Sequence, residues 1–227
     1  MMKSPFEHLG FNVGDDYKLA DWSQIVAYFE QLNASDRMEL RDFGMSTEGR
    51  RMIYAIITHP DHLKNIDKYR EIQARLADPR GLSEEEAEKL IADGKSIVLI
   101  TCSVHATEVG GAQMSMELAH DLLTRNDADV MEILNNNIFI FVPSLNPDGL
   151  DIVVNWYKDS LGKPHEGLMP PVLYQKYTGH DNNRDWFMLT QKENYNAIIN
   201  IQNVWHPHIV HDQHQMGSDG YRFILPP

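Results

Sequence analysis

Apolar positions along this chain switch between two spacings, and the switches mark its elements. In LADWSQIVAYFEQLNAS, Trp22, Ile25, Val26 and Phe29 recur at helical spacing behind Asp21, a side chain suited to capping a helix start. MELRDFGMS and RRMIYAIIT have strand length and flank a Thr-Glu-Gly-Arg turn, which predicts a hairpin. Residues 60–94 are charged and helical in pattern, with a Ser83/Glu86 capping box, and read as a solvated helical excursion. SIVLITC, at 96–102, is almost wholly apolar, the pattern of a central strand covered on both faces. A helix follows in VGGAQMSMELAHDLLTR, then a second buried strand in NNIFIFVPSL. From Asn146 to Trp186 the chain is rich in Gly, Pro and Tyr and predicts a long irregular segment, kept ordered by its aromatic residues. A helix near Thr190–Asn203 and a last strand, HPHIVHD, end the series. Strands alternating with helices define an α/β architecture, and one domain over 1–227 is the economical division.

Composition narrows the function classes. Hydrophobic residues make up 42% and charged residues 23% of the 227 positions, values of an ordinary folded domain. The net charge of −13 repels phosphate backbones and anionic lipid surfaces, so nucleic acid is not an expected partner. No apolar run has the length that spans a bilayer. The opening MMKSPFEHLGF shows no apolar leader, which fits a cytosolic protein or an exported one whose signal was removed. A single cysteine, Cys102, excludes an internal disulfide framework; its place on an apolar strand assigns it to core packing, because a buried thiol has little reactivity.

The chemistry gathers at strand ends, where α/β sheets bind their ligands. His105 and Glu108 follow SIVLITC within a few positions, and imidazole nitrogen plus carboxylate oxygen suits zinc. A third ligand is sought in WHPHIVHDQHQMG, which holds His206, His208, His211 and His214. His214 lies nearest the carboxyl end of the last strand and is preferred, with His211 the alternative; the two earlier histidines belong to the loop before the strand. Asp212 shares strand parity with His214 and could orient it or a neighbour.

Taken in order, HATE at 105–108, NPDG at 146–149, NNRDW at 182–186 and DQH at 212–214 resemble the zinc metallocarboxypeptidases of the carboxypeptidase A type. TEGRRMIYAIIT is similar to the hairpin that precedes the zinc-binding strand in that family, so the likeness runs from about residue 20 to the end. It implies a mixed central sheet flanked by helices. It further implies one Zn2+ per chain on His105, Glu108 and His214, and a peptide or protein substrate whose free C-terminal carboxylate is bound by Asn183 and Arg184. A guanidinium fork with an adjacent amide is suited to that carboxylate. Asn146 and Asp148 are given a structural role, with Pro147 and Gly149 shaping a turn.

The sequence departs from the family pattern in two places. No arginine stands between Gly149 and Arg184 to polarise the scissile carbonyl; Lys158, Lys163 and Lys176 are the cations in that interval, and Lys158 is the nearest candidate electrophile. Asp185 stands where the family has an amide. Glu108, if committed to zinc, cannot also be the general base. The family's base lies well past the third ligand, whereas thirteen residues follow His214 here. The resemblance therefore implies an N-terminal fragment of a catalytic domain, with its base and last strands missing. Two other functions share parts of the pattern: a zinc-dependent small-molecule deacylase of the aspartoacylase type, and a non-catalytic module that binds zinc and a carboxylate.

Overall fold

The computed structural model describes residues 2–171 and 181–216. In chain order the elements are α1 (Pro5–Leu9), α2 (Trp22–Leu32), β1 (Met38–Met45), β2 (Arg51–Ile57), α3 (Pro60–Leu63), α4 (Ile66–Ala77), α5 (Glu84–Asp93) and β3 (Ser96–Cys102). There follow α6 (Val109–Thr124), α7 (Ala128–Asn136), β4 (Asn137–Val142), α8 (Pro147–Ser160) and a 3₁₀ turn (Asn182–Arg184). Then α9 (Lys192–Ala197) runs through a π-helical segment (Ile198–Gln202) into α10 (Asn203–Trp205), and β5 (Ile209–Gln213) comes last.

The sheet has five strands in the order β1-β2-β4-β3-β5. β1 and β2 form the antiparallel hairpin, β2 pairs antiparallel with β4, and β3 is parallel to both β4 and β5. It is the mixed sheet expected, with helices on both faces. β2 shows why two faces are covered: Ile53, Ala55 and Ile57 enter one core with Trp22, Phe29, Met116 and Leu150. Met52, Tyr54 and Ile56 enter the other, with Ile66, Ala197 and Trp205. Alternation of side chains sends each set to its own face, and each large side chain fully buried there stabilises the fold by about 1.5–3 kcal/mol. β5 is the outer strand, and its Ile209 and Val210 are 55% and 52% exposed.

The predicted α2 forms with its cap: Asp21 accepts from Gln24 N at 3.0 Å, and the Gln24 side chain accepts from Asp21 N at 3.1 Å. The Ser83/Glu86 box forms as well, at the head of α5. The irregular segment expected from Asn146 onward is corrected by α8. Its Gly and Pro lie in a helical first turn, where Pro147 loses no needed N–H and Asn146 Oδ1 accepts from Gly149 N at 2.9 Å. Leu150 and Val154, one turn apart, then drive that helix into the core. The rest of the segment, with the order expected of it, includes residues 172–180, which lie outside the described residues. Two short helices, α1 and α7, were not expected; Asp127 caps α7, and Val130 and Leu134 bury its inner face. Among the described residues no helix is long and apolar enough to cross a membrane.

Candidate metal centre

Parallel pairing of β3 with β5 places Thr101 opposite Asp212 and Cys102 opposite Gln213. The carboxyl ends of the two strands are therefore neighbours, and residues just beyond them share one space. Past Cys102 the chain turns sharply: Ser103 takes a positive φ of 56°, and Glu108 N donates to His105 O at 3.0 Å. That tight loop turns the His105 and Glu108 side chains towards each other, and α6 departs immediately after.

His105, Glu108 and His214 converge, each offering one ligand atom, with these atoms all within 4.8 Å of one another. His105 Nδ1 lies 2.9 Å from Glu108 Oε1, and His214 Nδ1 lies 3.1 Å from Glu108 Oε2. Both outer nitrogens meet carboxylates: His105 Nε2 is 3.1 Å from Asp181 Oδ1, and His214 Nε2 is 2.8 Å from Asp212 Oδ2. A carboxylate behind each imidazole fixes ring orientation and leaves the inner nitrogen to bind a cation, the arrangement typical of metal-ligating histidines. Asp212 is itself fixed by Thr101 Oγ1, which donates to Oδ1 at 2.7 Å. Two imidazoles and one carboxylate at a strand end, His105 and Glu108 half-buried and His214 exposed, form a donor set that fits zinc.

His211 does not join this group. It is exposed on β5, opposite Ile100. His206 and His208 precede the strand, as expected, and His208 Nδ1 accepts from Ile97 N at 3.0 Å, securing the start of β3.

The Asn183–Arg184 pair sits in the 3₁₀ turn and is tied to the cluster through Asp181. Asp181 Oδ1, the oxygen facing His105, also accepts from Asn183 N at 2.8 Å. Asn183 Oδ1 accepts from the Trp186 indole at 3.0 Å, and Arg184 is exposed, donating to Asn183 O at 3.2 Å. Asp185 is buried; its Oδ2 accepts from Gln191 N at 2.9 Å and its Oδ1 from Thr190 N at 3.2 Å, so it shapes the loop after the turn.

Lys158 stands apart. Its ammonium is 3.2 Å from Asp21 Oδ2, at the cap of α2 rather than at the histidines. Lys163 pairs with Asp159 at 2.8 Å, and Lys176 lies outside the described residues. Asn146 and Asp148 hold elements together. Asn146 Nδ2 donates to Val104 O at 3.3 Å, joining the head of α8 to the His105 loop. Asp148, fully buried, accepts from Ser46 Oγ at 2.6 Å, Glu48 N at 2.8 Å and Arg50 Nη1 at 2.8 Å. Burial opposes the charge of Arg50, yet Asp151, Glu48 and Asp148 together raise its guanidinium above the ordinary value. Cys102 is buried, and desolvation, followed by the nearby Asp212, pushes its thiol up to about 12. Asp181 is the residue that sequence reasoning missed. The available signal was an acid directly ahead of the Asn-Asn-Arg turn.

Fold and site together define an α/β protein with a His-Glu-His cluster poised for a divalent cation. The model of the zinc carboxypeptidase family matches residues 25–218, and the chain belongs to that family. Among curated proteins nothing matches the chain. Similar solved structures include a putative carboxypeptidase A from Shewanella denitrificans, 18% identical, covering 85% of this chain and 39% of that one with a TM-score of 0.55. A putative carboxypeptidase from Burkholderia mallei is 15% identical, covering 86% of this chain and 39% of its own with a TM-score of 0.56. Carboxypeptidase A from Helicoverpa armigera is 14% identical, covering 94% and 52% with a TM-score of 0.53. At these identities the likeness is one of fold, and the chain spans roughly two fifths to one half of those proteins.

Proposed function

We propose that residues 1–227 contribute to one catalytic domain of a zinc-dependent metallocarboxypeptidase, which hydrolyses the last peptide bond of a substrate bearing a free C-terminal carboxylate. The observation that carries this is the meeting of His105, Glu108 and His214 with a carboxylate behind each imidazole. These three residues would hold one zinc ion. When bound, zinc supplies a Lewis acid that polarises a carbonyl and acidifies water.

The chain's own groups do the positioning. Arg184, exposed beside the cluster's Asp181, receives the terminal carboxylate through its fork of N–H donors, and the Asn183 amide adds a further donor. Trp186 and Asp181 brace Asn183, so the clamp is set in place before a substrate arrives. Glu108 is assigned to the metal, which removes it from proton transfer. Lys158 receives no role, because Asp21 engages its ammonium.

Metal analysis of the purified chain should give about one zinc per chain, and His105→Ala should abolish it. Calorimetry should then show the zinc-loaded chain binding a short peptide more tightly with a free C-terminal carboxylate than with a C-terminal amide, and Arg184→Ala should erase that preference. Zinc content unchanged in His105→Ala would refute the ligand assignment, and equal binding of the two peptides would refute the clamp.

A further inference from the structure

A cavity of about 450 Å3 opens beside the candidate metal centre, and neither the cluster nor the clamp uses it. Thr107, Val109 and Gly110, which flank Glu108, form one side; Val13, Asp16 and Tyr17 from the N-terminal segment form another. Tyr157 of α8 also lines it. The volume lies in the range of sites that hold small molecules or peptide side chains.

The N-terminal wall is held in place rather than loosely draped. The Gln113 side chain of α6 pairs with both backbone groups of Ala20, accepting at 3.0 Å and donating at 3.1 Å. Upstream, Val13 and Leu19 pack against the core. A wall fixed in this way binds with little ordering cost.

The place of the cavity beside Glu108 bears on which part of a peptide reaches it. The imidazole of His105 has Glu108 at its Nδ1 edge, and Asp181 with the Asn183–Arg184 turn at its Nε2 edge. The cavity wall is thus joined to the cluster through the sequence neighbours of Glu108, and the clamp through Asp181. On the proposed function, a peptide whose terminal carboxylate rests on Arg184 and whose last amide lies over the cluster extends its amino-terminal part away from the clamp, to the Glu108 side where Thr107–Gly110 line the cavity.

The lining then sets the chemistry. Asp15 is occupied, accepting from Asn12 N at 2.7 Å. Asp16 is exposed and has no hydrogen-bond or ion-pair partner among the described residues. Tyr17, 62% exposed, and Tyr157 line the same cavity, and an aromatic face and a carboxylate each favour a cation. Burial, then Glu166, Tyr17 and Asp16, raises the Tyr157 phenol above its ordinary value, consistent with a negative local field. Lys18 is the one cationic side chain among the lining residues.

We propose that this cavity is a specificity subsite for the amino-terminal side of the bound peptide, where Asp16, Tyr17 and Tyr157 select a cationic group, either a Lys or Arg side chain or a free α-amino group. The proposal rests on the peptidase function above for the direction of the peptide, but not for the existence of the cation site.

Calorimetry on the zinc-loaded chain with three short peptides, all bearing a free C-terminal carboxylate, tests it. One is N-acetylated and neutral, one N-acetylated with an upstream lysine, and one neutral with a free amino terminus. One or both cationic peptides should bind about three- to tenfold tighter than the neutral one. Which of them gains identifies the cation source. Asp16→Asn should erase the difference while leaving zinc content and neutral-peptide affinity unchanged. Equal binding of all three peptides, or a difference that survives Asp16→Asn, overturns the proposal. If the chain holds no zinc yet still prefers the cationic peptides through Asp16, the metal assignment fails and the subsite stands.

Discussion

Replacing Asp181 by alanine should weaken zinc binding without unfolding the chain. Asp181 Oδ1 is 3.1 Å from His105 Nε2 and accepts from Asn183 N at 2.8 Å. With that carboxylate gone, His105 loses the acceptor that fixes its tautomer and the negative charge that makes its inner nitrogen a better donor. Loss of such a partner costs about 10–100-fold in metal affinity, on the order of 1.4–2.7 kcal/mol. Asp181→Asn separates the two effects. Its amide oxygen can still accept from Asn183 N, so the turn survives while the charge is lost, and the drop should fall at the lower end of the range. Asp212→Ala should act equally on His214, and Thr101→Val less, because it only frees Asp212 to rotate. Competition with a chromogenic zinc chelator at fixed pH gives the affinities, and circular dichroism checks the fold. An Asp181→Ala chain that binds zinc as tightly as the parent, while His105→Ala binds none, would refute the coupling between Asp181 and the ligand.

Asp148→Ala should lower stability by about 3 kcal/mol in urea unfolding, since it removes the buried acceptor for Ser46, Glu48 and Arg50 at once; a loss below about 1 kcal/mol would mean that the hairpin does not depend on it. Cys102, with its thiol raised to about 12, should resist alkylation in the native chain at neutral pH and react fully once unfolded. Rapid native labelling would contradict the burial. Asp21 sits below its ordinary carboxyl value of 3.8: burial raises it, but hydrogen bonds from Ser23, Gln24 and Lys158 lower it further. A depressed folded value stabilises the native state above 3.8, and the benefit fades as pH falls through the lower, folded value. Asp21→Ala should therefore cost about 1 kcal/mol at neutral pH, shrinking in acid; a cost independent of pH would exclude the charge as its source.

How much of this was legible in the sequence differed by element for physical reasons. β2, β3, β4 and α6 carry apolar patterns strong enough to survive any packing, so their existence and type were plain. α8 was hidden because Pro147 and Gly149 are turn residues in most contexts, and only the Asn146 cap makes them a helical first turn. The spacing of Leu150 and Val154 was the counter-signal. His105 and Glu108 were visible as a local pair after an apolar strand. The choice of His214 over His211 came from strand parity and position, and it agrees with pairing that ends at Gln213. Asp212 was paired with His214 on that parity, yet β5 ends at Gln213, and the contact is made just past the strand. Asp181 had no such local rule, since it meets His105 only through tertiary packing of a turn 76 positions away.

That difference between the two histidines shapes how the site is held. His214, the first residue past β5, is oriented by Asp212 two residues earlier, and Asp212 is fixed by Thr101 across a regular parallel ladder. The sheet itself supplies this half of the cluster. His105 is oriented by Asp181, whose turn is located by a chain of buried amides: Asn194 Nδ2 donates to Asn182 O at 2.9 Å, and Asn146 Nδ2 lies 3.5 Å from Asn182 Oδ1 while bonding Val104 O. Buried amides of this kind hold position only when their partners are all in place. The His105 half thus depends on α8, the 3₁₀ turn and α9 packing together, and the same turn carries Asn183 and Arg184, the pair proposed to bind the terminal carboxylate. His105 and the Asn183–Arg184 pair proposed as the clamp therefore share one support, the turn at Asp181, whereas His214 is held through Asp212 at the end of β5.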